Sequence, residues 1–222
     1  MSKPNSRSGR TRRAGGARRT VVLDQVIAVL ADRGYAGTRF IDVAEASGVA
    51  VSTLQGYFGS RDDMLIEAFR HLTDLAVADM QEFAAQFEDP WKQLVAMIDR
   101  GLSTNVVTWR MLMEFWTAAA RDAELQEHAA TLAEQYRRPF TDAVRRGIES
   151  GAFTPRFDTA AIVEVVVGNI VGLLYPVVLG HLAPEDTDYR EVVLAQLAFA
   201  LATRAETETP SGAQPEPTTR EG

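Results

Sequence analysis

Apolar residues recur every three or four positions along most of this chain, and strand-like alternation of apolar and polar residues is absent. Val22, Val26 and Leu30 share one helical face and Gly34 follows them, which predicts a helix over 18–33. The same reading predicts short helices over 40–46 and 51–58, and then helices over 61–87, 90–103, 106–121, 122–150, 158–179 and 184–204. The pattern therefore predicts an all-α fold of about nine helices.

The two ends of the chain lack this pattern. Residues 1–17 consist mainly of Arg, Ser and Gly, and residues 207–222 form a Pro-rich polar stretch. We predict a disordered basic arm at the first end and a disordered tail at the second.

One segment is apolar enough to raise the question of a membrane. Residues 165–180 carry no charge, but this run of sixteen is shorter than the roughly 20 residues that a span requires. A helix buried in a core and an oligomer interface explains the same run, so no membrane partner is expected. A charged N-terminus without a following apolar stretch also argues against a signal peptide.

Charge is distributed unevenly. The net charge is −7, yet residues 1–20 contain seven basic residues and no acid, and residues 1–70 together carry +4. Such asymmetry points to a nucleic-acid-binding segment on an acidic protein, although a solvated basic tail would look the same. The chain has no cysteine, which excludes disulfides, thiolate catalysis and cysteine-bound zinc and fits the cytoplasm.

The most informative segment is 38–65, TRFIDVAEASGVAVSTLQGYFGSRDDML. It predicts two short helices joined at Gly48, which permits the tight turn between them. Val43, Leu54 and Phe58 are expected to face inward. The outward residues of the second helix are small or hydrogen-bonding and uncharged, as a helix entering the major groove requires: Val51, Ser52, Thr53, Gln55, Gly56 and Tyr57.

This segment resembles the DNA-binding domain of the TetR family of transcriptional regulators. The matching residues are Val43 to Val49, then Thr53-Leu54, Tyr57-Phe58, Ser60 to Asp62 and Met64-Leu65. Ala50 and Gln55 depart from the usual serine and tyrosine, which leaves the operator sequence open. The resemblance implies phosphate contacts by Thr38 or Arg39, Tyr57 and Arg61, and base contacts by Val51, Ser52, Thr53 and Gln55. The basic arm could enter the minor groove or attract phosphates without specificity.

The rest of the chain should dimerise and bind a ligand, because two half-sites need a two-fold partner. We predict a DNA-binding domain over 18–65 and a ligand-binding and dimerisation domain over 66–206. Two apolar stripes on the last helices are the predicted homodimer interface, with monomer core as the alternative: Ile162, Val166, Ile170, Leu173, Val193, Leu197 and Leu201. The predicted ligand site for a small hydrophobic or amphipathic effector comprises Phe87, Trp109, Met113, Trp116, Tyr136 and Asn169.

The sequence thus predicts a ligand-responsive DNA-binding regulator, most simply a repressor released from its operator. The long helix over 61–87 would link the two domains and act as the lever. No phosphate-binding, dinucleotide or zinc-protease motif is present, so we expect no catalytic residue, metal or cofactor. The alternative is a helical adaptor or ligand-binding protein that does not bind DNA.

Overall fold

The computed structural model describes residues 7–180 and 188–203, with side chains from residue 18 onward. Within these ranges the chain folds into nine α-helices and no strand, as the periodicity predicts. They are α1 (Arg7–Gly37), α2 (Phe40–Ser47), α3 (Val51–Phe58), α4 (Arg61–Ala84), α5 (Pro90–Leu102), α6 (Val106–Ala119), α7 (Ala123–Glu149), α8 (Thr159–Val178) and α9 (Tyr189–Leu201).

Most helices begin where a side chain can accept hydrogen bonds from the first backbone amides. The Ser60 hydroxyl accepts from the Asp63 amide at 3.0 Å, and the Asp63 carboxylate accepts from the Ser60 amide, which forms a capping box at the start of α4. An aspartate or asparagine caps five other helices: Asp89, Asn105, Asp122, Asp158 and Asp188. These caps explain why the predicted starts of α4 to α8 lie within a residue of those in the structure, whereas α9 begins at Tyr189 and its predicted start at 184 lies outside the described residues.

The N-terminal prediction differs most. Helix α1 extends back to Arg7, whereas the sequence predicts a disordered arm over residues 1–17. Adding residues to an existing helix is far easier than nucleating one, and the packed part of α1 supplies the nucleus. Residues 1–6 and the predicted tail over 207–222 lie outside the described residues.

Two hydrophobic cores are present. The first joins α1–α4 to parts of α6 and α7, and its centre is the stacked pair Phe69 and Phe115, with ring centroids 4.5 Å apart. The second joins α4, α5 and α6 to α7, α8 and α9 around Phe140 and Ile170. Helix α6 belongs to both, because Phe115 lies in the first core and Trp109 in the second. The two parts of the chain are therefore mechanically connected through α6.

The second core corrects the predicted dimer interface. Six of the seven predicted interface residues are buried inside the protomer and the seventh, Leu173, packs against them: Ile162, Val166, Ile170, Val193, Leu197 and Leu201. These stripes are the monomer core, since the regular apolar spacing marks the face that packs on the protomer's own helices. The opposite face of α8 and α9 remains uncovered, with Val165, Tyr175 and Phe199 each at least half exposed.

Among the described residues, α8 is the one helix long and apolar enough to cross a membrane. It packs against α5, α6, α7 and α9, and residues such as Ile170 are completely buried there. The apolar character of α8 is therefore accounted for in part by its inner face, and its outer face needs a separate explanation.

Candidate functional site

Helices α2 and α3 form the helix-turn-helix unit, residues 40–58. Gly48 adopts a left-handed conformation with φ of 67°, which ends α2 and turns the chain toward α3. The Ser47 hydroxyl donates to the Val43 carbonyl at 2.6 Å and accepts from the Val49 amide at 3.3 Å. Fully buried Leu54 and nearly buried Phe58 anchor α3 to the first core. The orientation of α3 is thus fixed from behind.

The outer face of α3 is open and uncharged. Ser52, Thr53, Gln55 and Gly56 are exposed, while Val51 and Tyr57 are half-buried at its edges. Ala50 provides no side-chain cap, so the first amides of α3 also lack a side-chain partner. Hydroxyl, amide and backbone donors therefore lie together on one open surface of α3. Because α3 has no acidic side chain, this surface does not repel a polyanion.

Thr38 and Arg39 are the two predicted phosphate contacts at the start of α2, and of these only Arg39 is accessible to solvent. Thr38 is completely buried, and its hydroxyl donates to the Gly34 carbonyl at 2.8 Å, so the phosphate contact considered for Thr38 is wrong for this conformation. The Arg39 side chain is 68% exposed, and its Nε lies 3.3 Å from the Asp42 carboxylate. The Arg39 guanidinium can therefore face a phosphate while its Nε stays in contact with Asp42 on α2.

Asp42 organises this corner. Its carboxylate accepts from the Arg39 amide at 2.9 Å and pairs with Arg33 at 2.7 Å. The hydrogen bond from the Arg39 side chain is the main reason that the pKa of Asp42 is lowered, and the charge of Arg33 adds to the effect. One ionised carboxylate thus holds the start of α2 against α1.

Arg61 has a structural role that the sequence did not reveal. Its Nε donates to the Thr38 carbonyl at 2.7 Å, a second nitrogen donates to the Tyr35 carbonyl, and the third pairs with Asp62 at 2.7 Å. The guanidinium also lies 5.2 Å from the centre of the Tyr35 ring. Because every guanidinium nitrogen already has a partner, Arg61 is better suited to holding α4 against the end of α1 than to the predicted phosphate contact.

A cavity of about 470 Å³ lies between α4, α6, α7 and α8. Three of the predicted ligand residues line it, namely Trp109, Trp116 and Tyr136. A neighbouring cavity of about 430 Å³ shares Trp109 and Trp116 and adds the predicted Met113. The two tryptophan rings, with centroids 6.1 Å apart, therefore form a common wall.

Phe87 and Asn169 do not line either of these cavities. Phe87 follows the end of α4, where its carbonyl accepts from the Gln93 side chain at 2.8 Å. Asn169 faces α9 and donates to Gln196 at 3.3 Å. The predictions for these two residues are wrong with respect to the described cavities, because helical periodicity did not determine which neighbour each residue faces.

The cavity is apolar with a few neutral polar groups. Burial raises the pKa of Tyr136 to about 12, so its hydroxyl stays protonated at neutral pH. Arg137 and Glu164 form a two-point ion pair at the cavity wall, with contacts of 2.5 and 3.0 Å that neutralise both charges. The indole nitrogen of Trp109 is buried and has no hydrogen-bond partner among the described residues. Such a site favours ligands with little net charge in their buried part.

Sequence reasoning missed most of the smaller residues that surround the cavity. Gly168 and Gly172 line it, and a Cβ at either position would meet nothing within 4 Å. The absence of side chains at both positions leaves this space open. In the sequence, these two glycines four residues apart are therefore the signal that could have indicated a cavity.

A helix-turn-helix unit joined to a helical, cavity-containing body is the architecture of a one-component DNA-binding regulator. Two family models match this chain: "Bacterial regulatory proteins, tetR family" over residues 22–68, and "BetI-type transcriptional repressor, C-terminal" over residues 90–206. The chain belongs to the TetR family.

Individual relatives agree with this assignment. The chain is 30% identical over 116 residues to the HTH-type transcriptional regulator BetI of Burkholderia ambifaria strain MC40-6. The matched segment covers 49% of this chain and 58% of that protein. The match thus spans little more than half the length of that relative.

Solved structures agree on the fold. A putative TetR-family regulator from Rhodococcus sp. superposes with a TM-score of 0.73 at 21% identity, covering 83% of this chain and 98% of that one. The structure of Bacillus subtilis FadR in complex with stearoyl-CoA superposes with a TM-score of 0.65 at 19% identity, covering 82% of this chain and 97% of that one.

Proposed function

We propose that this protein is a homodimeric transcriptional repressor that binds an operator through α3 and leaves it when a small hydrophobic or amphipathic molecule enters the body. The observation that carries this proposal is the exposed, uncharged face of α3, anchored from behind by Leu54 and Phe58. Membership of a family of bacterial regulators supports it. The protein would act in the cytoplasm, where its DNA is.

DNA recognition would divide between two sets of residues. Ser52, Thr53 and Gln55 would contact base edges in the major groove, and Gln55 can pair bidentately with adenine. Arg39 and Tyr57 flank this face and would contact phosphates, which fixes the register of α3 without reading sequence.

The homodimer would form through the outer faces of α8 and α9. Val165 and Tyr175 on α8 and Val192 and Phe199 on α9 are each at least half exposed, although large apolar side chains are normally covered. A two-fold pair would present two α3 helices to successive major grooves about 34 Å apart.

The effector would occupy the cavity beside Trp109, Trp116 and Tyr136. Its volume of about 470 Å³ falls within the usual range for small-molecule sites, roughly 300–1,000 Å³. FadR, which shares the fold, has been crystallised with stearoyl-CoA, an amphipathic molecule. Helix α4 begins directly after α3 and lines the cavity through Leu72, Thr73 and Ala76, so an effector that repositions α4 would change the separation of the two α3 helices.

Selection of genomic fragments by the purified protein, followed by sequencing, tests the proposal. We expect enrichment of a two-fold symmetric site and release of that site by extracts of hydrophobic metabolites. Failure to retain any duplex at low salt would favour the adaptor alternative, since even non-specific binding relies on phosphate contacts. The double variant Ser52→Ala, Thr53→Ala should lose the enrichment, and the exposed pair Gln126→Ala, Thr131→Ala on α7 provides the control.

A further inference from the structure

The basic N-terminal segment plays no part in the base contacts proposed for α3. Residues 1–20 contain seven basic residues and no acid, whereas residues 71–222 carry a net charge of −11. A positive segment of this density on an acidic protein attracts polyanions such as the phosphate backbone of a duplex.

The described part of α1 indicates where this segment leaves the protein. The Arg19 guanidinium lies 5.2 Å from the centre of the Phe58 ring, and Phe58 is the last residue of α3. Arg19 also pairs with Glu67 on α4. Helix α1 therefore passes the C-terminal end of α3, which is the helix proposed to lie in the groove.

From Arg19 the helix continues upstream to Arg7 without a break in its backbone. Twelve residues at 1.5 Å each extend it by about 18 Å, which exceeds the width of the major groove, about 12 Å. The segment that carries Arg7, Arg10, Arg12 and Arg13 thus extends from the place where α1 passes the C-terminal end of α3.

We propose that residues 7–18 form a second DNA contact, in which the arginines bind the phosphate backbone next to the site read by α3. The inference rests on the proposed function. The contact is electrostatic and independent of sequence, so it raises the affinity for every duplex by the same factor. It would also hold the protein on non-specific DNA during its search for an operator.

Salt dependence measures this contact directly. Each cation that neutralises a phosphate of duplex DNA steepens the slope of log K against log salt by about 0.9. Substitution of four arginines that all engage should therefore make the slope shallower by up to about 3.6 for each protomer in contact with the duplex. At low salt the affinity should fall on the order of tenfold or more.

The experiment compares three full-length proteins on a random-sequence duplex by fluorescence anisotropy at several salt concentrations. They are the wild type, the arm variant R7A/R10A/R12A/R13A, and the control K92A/R110A/R138A/R145A. The control removes the same charge from exposed positions on α5, α6 and α7. Circular dichroism and urea unfolding verify that all three retain the fold.

We expect a shallower slope for the arm variant alone, with an unchanged ratio of operator to random-duplex affinity. Coincident slopes for the arm variant and the control would overturn the inference while leaving the proposed function intact. A preference for AT-rich duplex that disappears only in the arm variant would also overturn it, because the arm would then read the minor groove. A wild type that binds no duplex would overturn the proposed function itself.

Discussion

The carboxylate of Glu114 on α6 accepts a hydrogen bond from the backbone amide of Tyr35 on α1, with 2.5 Å between Oε2 and the nitrogen. The bond forms where α1 breaks, because Gly34 has a φ of 72° that L-residues rarely adopt. A Cβ at Gly34 would lie 2.6 Å from the same carboxylate oxygen, so glycine is also needed for the close approach.

This bond connects the cavity to the DNA-binding half. Trp109, Met113 and Trp116 on α6 line the two cavities, and Glu114 lies on the same helix. The sequence identified α4 as the lever between the domains, and α6 provides a second physical connection. A ligand that displaces Trp116 would move Glu114 and with it the end of α1.

Replacement of Glu114 by alanine should therefore destabilise the first core. The half-buried Tyr35 amide loses its acceptor, and we expect the free energy of unfolding in urea to fall by about 1–3 kcal/mol. Glu114→Gln, which keeps an acceptor oxygen, should lose less than half of that. Glu127→Ala on the exposed side of α7 is the matched control. Equal stability of Glu114→Ala and the control would contradict the structural role.

Arg61 should behave as a structural residue. Arg61→Ala leaves the carbonyls of Tyr35 and Thr38 without their donor and should lower the free energy of unfolding by about 1–3 kcal/mol. Arg61→Lys should restore little of this, because one ammonium cannot reach both carbonyls and Asp62 as the planar guanidinium does. Arg110→Ala, at an exposed position on α6, controls for loss of charge. If Arg61→Ala keeps full stability but binds random duplex more weakly, a phosphate contact is the better explanation.

Asp42 predicts a pH dependence of stability. Its pKa is lowered in the folded state, chiefly by the Arg39 side chain, so its contribution is present above the ordinary aspartate pKa near 3.9. That contribution is lost as the pH falls below about 4, toward the lowered value. The difference in urea midpoint between the wild type and Asp42→Asn should therefore be largest at neutral pH and shrink on acidification. A constant difference, as we expect for exposed Asp32→Asn, would contradict the assigned interaction.

The sequence predicts the helix-turn-helix unit well because its determinants are local. The turn at Gly48, the helical spacing of the inward residues and the Ser60 cap are each determined within one or two turns of helix. The predicted bounds of α2 and α3 therefore lie within about one residue of those in the structure. The role of Arg61 depends on its bond to the Thr38 carbonyl, 23 residues earlier in the chain. No local pattern specifies that Arg61 turns toward that carbonyl and away from solvent.

The C-terminal half is harder to predict for the same reason. The apolar stripes that include Ile162 and Val193 correctly mark the buried faces of α8 and α9, but periodicity cannot say whether the covering helix belongs to the same protomer. In the sequence, the outer face of α8 and α9 shows only as apolar positions outside these stripes, such as Val165 and Phe199. Cavity residues from α4, α7 and α8 converge from distant parts of the chain, so the sequence identified only large side chains, namely Trp109, Met113 and Trp116 on α6 and Tyr136 on α7.

Charge on the outer face of α8 and α9 should abolish dimerisation. In V165E/V192E, two buried carboxylates would replace apolar contacts in the proposed interface, and we expect monomers by sedimentation equilibrium. Affinity for a two-site operator should fall together with the dimer. Leu75→Glu, at a half-exposed position on α4, should remain dimeric. A dimer that persists in V165E/V192E would exclude this face as the interface.

The ratio of operator affinity to random-duplex affinity tests the central claim most directly, because it isolates base recognition from phosphate attraction. Thr53→Ala and Gln55→Ala should each lower this ratio by roughly 5- to 150-fold, equivalent to the 1–3 kcal/mol of a good base contact, and leave random-duplex binding unchanged. An exposed Gln126→Ala on α7 should change neither quantity. A ratio that stays at the wild-type value in both α3 variants would contradict recognition of DNA by the uncharged face of α3.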